Sequence, residues 1–183
     1  MSAKPRPGFI LGVHPTSSGM GWVVFSGPFS PHDWGVRSTH CHDKNRKCVE
    51  HVRKLIARYQ PEVIVLESFE RRTSARKTRI ERLGRLIVSL AASENVDVAI
   101  FPLGQVKAHF ASVGAATRQE VAEAVARHLP ALSHRLPRPR RAWNSEHPRM
   151  ALFSAAALVL VHYQARAVDV LDQLGRGVAD VSP

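Results

Sequence analysis

The chain has 183 residues, enough for one domain with a buried core and too few for two domains of ordinary size. At 44% hydrophobic and 22% charged it has the composition of a folded globular protein, which excludes a disordered or fibrous chain. Twenty-six Lys plus Arg oppose fifteen Asp plus Glu, a net of +11, and a surplus of that size favours an anionic polymer, most simply nucleic acid, as partner.

Residues 1–8 are polar and proline-rich and read as a disordered N-terminal arm, with no apolar core of a secretory signal behind them. The longest apolar run, Ala151 to Val161, is about half of what a bilayer requires, so no membrane is expected. The two cysteines, Cys41 and Cys48, form no disulfide framework, so a reducing, cytoplasmic setting is the expectation. Residues 9–165 read as a single domain and 166–183 as a polar tail.

In chain order, apolar runs at Phe9–Val13, Gly21–Phe25 and Trp34–Ser38 predict three strands. Turn chemistry at Pro15-Thr-Ser-Ser-Gly19 and Gly27-Pro-Phe-Ser-Pro31 joins them as an antiparallel meander. From Asn45 to Tyr59 the apolar positions Cys48, Val49, Val52, Leu55, Ile56 and Tyr59 fall on one helical face, and Pro61 stops the helix. Glu62–Leu66, apolar without alternation, predicts a strand buried on both faces, reached by a right-handed crossover. A second helix over Arg79–Glu94 turns Ile80, Leu83, Ile87 and Leu90 inward and carries Gly84, a local cost or a close contact. Strand Val96–Phe101 follows, then short helices near Gly104–Phe110 and Thr117–Leu129, the latter opened by a Thr117/Glu120 capping box. Pro130–Arg141, with three prolines and four arginines, reads as an exposed basic loop, and a last helix runs from about Pro148 to Ala165. The fold class is α/β, with a central mixed five-stranded sheet, three antiparallel strands followed by parallel ones, flanked by helices.

This element order resembles the ribonuclease H-like fold. Its motifs resemble those of the RuvC-type Holliday junction resolvases. Ile10-Leu-Gly-Val-His-Pro-Thr-Ser-Ser-Gly-Met-Gly21 is similar to their opening Ile-Leu-Gly-Ile-Asp-Pro-Gly-Ser segment. Leu55-Ile-Ala-Arg-Tyr-Gln-Pro-Glu-Val-Ile-Val-Leu-Glu67 resembles the run to the second acidic residue. Gln105-Val-Lys107 and Gly114-Ala-Ala-Thr-Arg-Gln-Glu-Val121 resemble two basic elements, and His147-Pro-Arg-Met-Ala-Leu152 the closing motif.

The resemblance implies a phosphodiesterase centre in which four carboxylate-type ligands hold two divalent ions, Mg²⁺ or Mn²⁺, the first Asp bridging both. Carried over residue by residue, the bridging position is His14, the strand-end acid is Glu67, the closing motif offers His147, and its last acidic position is Met150. A shifted register puts Ala151 and Ser154 there instead. One carboxylate remains, and neutral imidazole does not bridge two hard cations, so no resident cofactor is expected and the two-metal site is expected to be absent. A softer ion on His14, Glu67 and His147, with Glu70 or Glu146 assisting, is the competing arrangement. His14 also reads as a strand-end histidine bonded to backbone, and Glu67 as a solvated charge. His40-Cys-His42 with Cys48 and His51 is the one zinc-like cluster, but Cys48 falls on the apolar helix face, which favours core packing.

Arg71, Arg72, Arg76 and Lys77 follow Glu67 in a strongly basic segment suited to neutralising phosphates. Phe69 at its start reads either as a wedge between bases or as an anchor for the loop. Lys107 and Arg118 match basic family positions, and Arg138, Arg140 and Arg141 form a further patch; solvated faces are the bland alternative for all of these. The expected function is a RuvC-like, nucleoid-associated protein, dimeric as the family is, that binds branched or double-stranded DNA by shape and charge with lost or weakened nuclease activity. The rivals are a metal-dependent endonuclease with a rebuilt site and a protein-interaction module of DNA recombination or repair.

Overall fold

The computed structural model describes residues 8–39, 42–69, 75–140 and 145–179, with only the backbone of 75–77 and 172–179. The expected N-terminal arm except Gly8, together with His40, Cys41, Glu70, Arg71, Arg72 and Arg141, falls outside the described residues, as do the side chains of Arg76 and Lys77.

Five strands form one sheet: β1 (Ile10–Pro15), β2 (Gly19–Gly27), β3 (Ser30–Ser38), β4 (Val63–Glu67) and β5 (Asp97–Phe101), in the spatial order β3-β2-β1-β4-β5. The β1–β2 and β2–β3 pairs are antiparallel, and the β1–β4 and β4–β5 pairs are parallel. The expected mixed sheet is therefore present. Strand β3 begins at Ser30 rather than near Trp34, because Pro28 and Phe29 alone make the turn and the residues after them pair with β2.

Helices α1 (Lys44–Tyr59) and α2 (Ala75–Ser93) cover one face of the sheet. Helices α3 (Leu103–Ala111), α4 (Arg118–His128) and α5 (Met150–Ala179) cover the other. Side chains alternate between faces along a strand, so Leu11 and Val13 point to the α1–α2 layer and Ile10 to the α5 layer. By the same alternation Ile64 and Leu66 lie on the first face and Val63 and Val65 on the second. His14 and Glu67 continue the second series, one residue beyond the paired Val13 and Leu66.

Three further expectations change. Helix α2 begins at Ala75, four residues before Arg79, so part of the basic segment is helical. Pro130–Arg135 forms a 3₁₀ turn with Leu132 buried, so the basic loop is anchored rather than exposed throughout. Helix α5 continues to Ala179 instead of ending near Ala165: its first half is nucleated by burial, and the Ala-, Val-, Leu- and Arg-containing stretch beyond offers no proline to stop it. Residues Met150–Leu171 are long and apolar enough for a membrane span, yet Met150, Ala151 and Leu152 through Val161 pack into the core.

That packing is unusually close. A Cβ on Gly21 would lie 2.2 Å from the Ala151 carbonyl carbon, and one on Gly12 would lie 2.6 Å from the Ala155 carbonyl oxygen. The N-terminal turns of α5 therefore rest on the main chain of β1 and β2, and this sets Met150 and Ser154 beside the end of β1.

Candidate nucleic-acid site

The C-terminal ends of β1 and β4 lie side by side, and their final side chains point to the α5 face. His14 is buried there, with Nδ1 3.5 Å from Glu67 Oε2, too far for a tight hydrogen bond but close enough for electrostatic attraction. The third member comes from α4. Thr117 caps that helix in a reciprocal capping box with Glu120, whose exposed carboxyl is held below its usual range by the Thr117 and Ala116 amides it accepts. Arg118 is the first residue of the capped helix, so its guanidinium starts from a fixed backbone position.

Arg118 reaches across the strand end. Nη2 lies 2.9 Å from His14 Nε2 and donates to Ser154 Oγ at 3.1 Å, while Nη1 donates to Glu146 Oε2 at 2.7 Å. The Ser154 hydroxyl donates in turn to the Met150 carbonyl at 3.1 Å. A guanidinium has donors only, so His14 Nε2 must accept, which places the proton of the neutral ring on Nδ1, toward Glu67. The result is a chain Glu67–His14–Arg118–Glu146, with Ser154 below the arginine.

Beside Arg118 opens a cleft of about 490 Å³ whose lining includes Arg138, Arg140, Glu146 and His147. His147 is exposed, and its Nδ1 accepts from the Arg149 amide at 3.1 Å. Its Nδ1 is thus engaged in the turn before α5, and among the described residues His147 does not group with His14 and Glu67. Met150 is buried and Ala151 packs beneath Gly21, so of the alternative positions Ser154 is the one that meets the Arg118–His14 pair.

Among the described residues no three His, Cys, Asp or Glu side chains converge in a group able to hold a metal ion. Glu70, named as a possible further ligand, lies outside them. A guanidinium occupies the imidazole lone pair and one of the available carboxylates is already paired with it. Such a donor set does not fit a pair of hard divalent cations, whose charge needs several free oxygens. The zinc-like cluster is likewise not assembled from its described members: Cys48 is buried in the α1–α2 layer, and His51 packs against the Trp22 ring at 5.4 Å.

The remaining basic positions separate. Lys107 is exposed near the middle of α3 and is not part of the cleft lining. Phe69 is half-buried, and its ring sits where a Cβ on Gly84 would be, 2.5 Å from Cδ1, which explains a glycine inside α2 and supports the anchoring role over a base wedge. One contributor, Arg79, carries no signal in the sequence, and a second, Ser154, carries only a weak one. Arg79 of α2 donates to the carbonyl of Thr16, tying the basic helix to the turn after β1. Ser154 was reached only as a register alternative, and its hydroxyl proves to be the arginine's support.

Strand order and helix placement define a ribonuclease H-like protein with a polar centre at the end of β1. The chain belongs to the RuvC family: residues 10–143 match the model described as "Crossover junction endodeoxyribonuclease RuvC". That match ends before Glu146, His147 and α5. The fold is similar to T. thermophilus RuvC in complex with Holliday junction substrate, with a TM-score of 0.62 and 20% identity over 87% of this chain and 96% of that one. It is similar as well to a further Thermus thermophilus RuvC structure, with a TM-score of 0.59 and 24% identity over the same shares. A search of curated proteins gives no match.

Proposed function

We propose that this RuvC-family protein binds branched DNA through its shape and phosphates, acts as a homodimer associated with the nucleoid, and has lost or weakened its nuclease. The observation that carries the reading is the Arg118 guanidinium bonded to His14, where the family resemblance expects a metal-bridging carboxylate. A fixed organic cation there can neutralise a phosphate without activating water, whereas cleavage by two metals needs anionic oxygens that Glu67 alone does not supply. Membership of a resolvase family and a net charge of +11 support the choice of partner. Arg118, Arg138, Arg140 and Lys107, with Arg71, Arg72, Arg76, Lys77 and Arg141, form the phosphate-binding set.

The test is a four-way junction offered to purified protein in Mg²⁺ and in Mn²⁺. Salt-sensitive binding without strand cleavage is expected. Cleavage that Glu67→Gln abolishes would overturn the reading in favour of a metal-dependent endonuclease rebuilt on Glu67, His14 and His147.

A further inference from the structure

The cleft beside Arg118 carries a feature that nucleic-acid binding alone does not explain. Its lining brings together Arg118, Arg138 and Arg140, with His147 beside them, and against the three arginines stands, among the described residues of the lining, one acid, Glu146. That acid does not point away: its carboxylate accepts from Arg118 Nη1 at 2.7 Å, the shortest of the contacts holding the guanidinium. The pair is 46% and 41% exposed, so water and solutes reach it. An exposed ion pair of this kind is weak and is exchanged readily for a better anion.

The other contacts of Arg118 differ in kind. His14 and Ser154 are fixed on β1 and α5, buried or nearly so, and hold Nη2 and Nε from below. Glu146 stands on the segment before α5 and covers Nη1 from the open side. The guanidinium is thus oriented by two fixed neighbours and masked by a third group that has the charge and the paired oxygens of a phosphate.

Resting on the nucleic-acid reading above, we infer that the Arg118–Arg138–Arg140 cleft is a phosphate-binding site in which the Glu146 carboxylate serves as an internal stand-in, displaced when a backbone phosphodiester arrives. The carboxylate keeps the site ordered and its charge partly offset until then. Displacement favours a ligand that brings several phosphates at once, since only such a ligand engages Arg138 and Arg140 while replacing the carboxylate at Arg118. The site therefore favours a polyanion over free phosphate, and Glu146 sets the threshold.

The experiment is a double-mutant cycle on four-way-junction affinity in the full chain, using Glu146→Gln, Arg118→Gln and both together. Glu146→Gln is isosteric at an exposed position and leaves the core intact. It is expected to tighten junction binding by about threefold to tenfold, with the salt slope nearly unchanged because the same phosphates are contacted. In the Arg118→Gln background the same change should have almost no effect. Gain in both backgrounds would mean that Glu146 acts only as one more negative charge, and the inference fails; no gain in either, with wild type binding, also overturns it. If neither wild type nor Glu146→Gln binds the junction, the nucleic-acid reading and this inference fall together.

Discussion

Arg118 Nη2 lies 2.9 Å from His14 Nε2, so a cation meets a neutral imidazole at the end of β1. The contact fixes three things at once: the tautomer of the ring, the side of the ring that faces Glu67, and the orientation of a guanidinium whose other nitrogens reach Ser154 and Glu146.

Replacing Arg118 by Lys separates charge from geometry. The lysine keeps a positive charge but not the planar fork that spans His14, Ser154 and Glu146. Junction affinity is expected to fall several-fold while the salt slope stays within about half a unit of wild type. Thermal stability should change little, because an exposed arginine's ion pair contributes only about 0–1 kcal/mol. A large loss of melting temperature would make Arg118 a structural residue instead.

Restoring anionic oxygens should restore metal affinity. In the double variant His14→Asp, Ser154→Asp, two new carboxylates, one at the end of β1 and one on α5, join Glu67. Mn²⁺ at about 100 times its Kd should then stabilise the protein by about 2.7 kcal/mol, or roughly 5–10 °C in melting temperature. Wild type should show no such shift. An equal shift in both proteins would place a metal site in the native chain and undo the electrostatic argument.

Gly84→Ala tests the Phe69 anchor. In an open helix this change would stabilise by about 1 kcal/mol. Here the added methyl would meet the Phe69 ring at 2.5 Å, and overpacking costs about 1–3 kcal/mol. A net loss of stability is expected by urea unfolding. A stabilised variant would show that the ring yields without cost.

Acid should destabilise the fold through two histidines. Burial lowers the pKa of His162 from its ordinary 6.5, with Arg166 adding to the effect. Burial, then Arg37 and Lys54, lower that of His51, opposed by Asp33. Both groups gain a proton near 6.5 in the unfolded chain but only at lower pH in the folded one. The unfolded state therefore binds more protons just below 6.5, and stability is full above that pH and lost as pH falls. Melting temperature followed against pH should decline below 6.5, and His162→Leu should shallow the decline. A flat profile across that range would remove both residues from the account.

The sheet was legible because its strands are nearly all apolar, bounded by Pro- and Gly-rich turns, and because the Thr117/Glu120 spacing marks a helix start independent of tertiary context. The sequence signal for helix α5 stops near Ala165 because its buried half carries it: residues 166–171 are exposed, so no apolar periodicity marks the continuation. His14 and Glu67 could be placed together from strand periodicity and the parallel pairing of β1 with β4. Their connection to Arg118 could not, since 104 residues separate it from His14 and no periodicity links a helix's first residue to a strand's last. The choice between Met150, Ala151 and Ser154 depended on the rotation of α5 over the sheet, which is set by the missing side chains at Gly12 and Gly21.

Those two glycines have a wider consequence. Where main chain rests on main chain, the spacing of helix and sheet is indifferent to which side chains decorate the neighbouring rim. An acid could become an imidazole at the tip of the first strand, and a hydroxyl could stand a turn along the facing helix, without the frame needing to readjust. Chemistry at this centre is thus free to drift while architecture stands still.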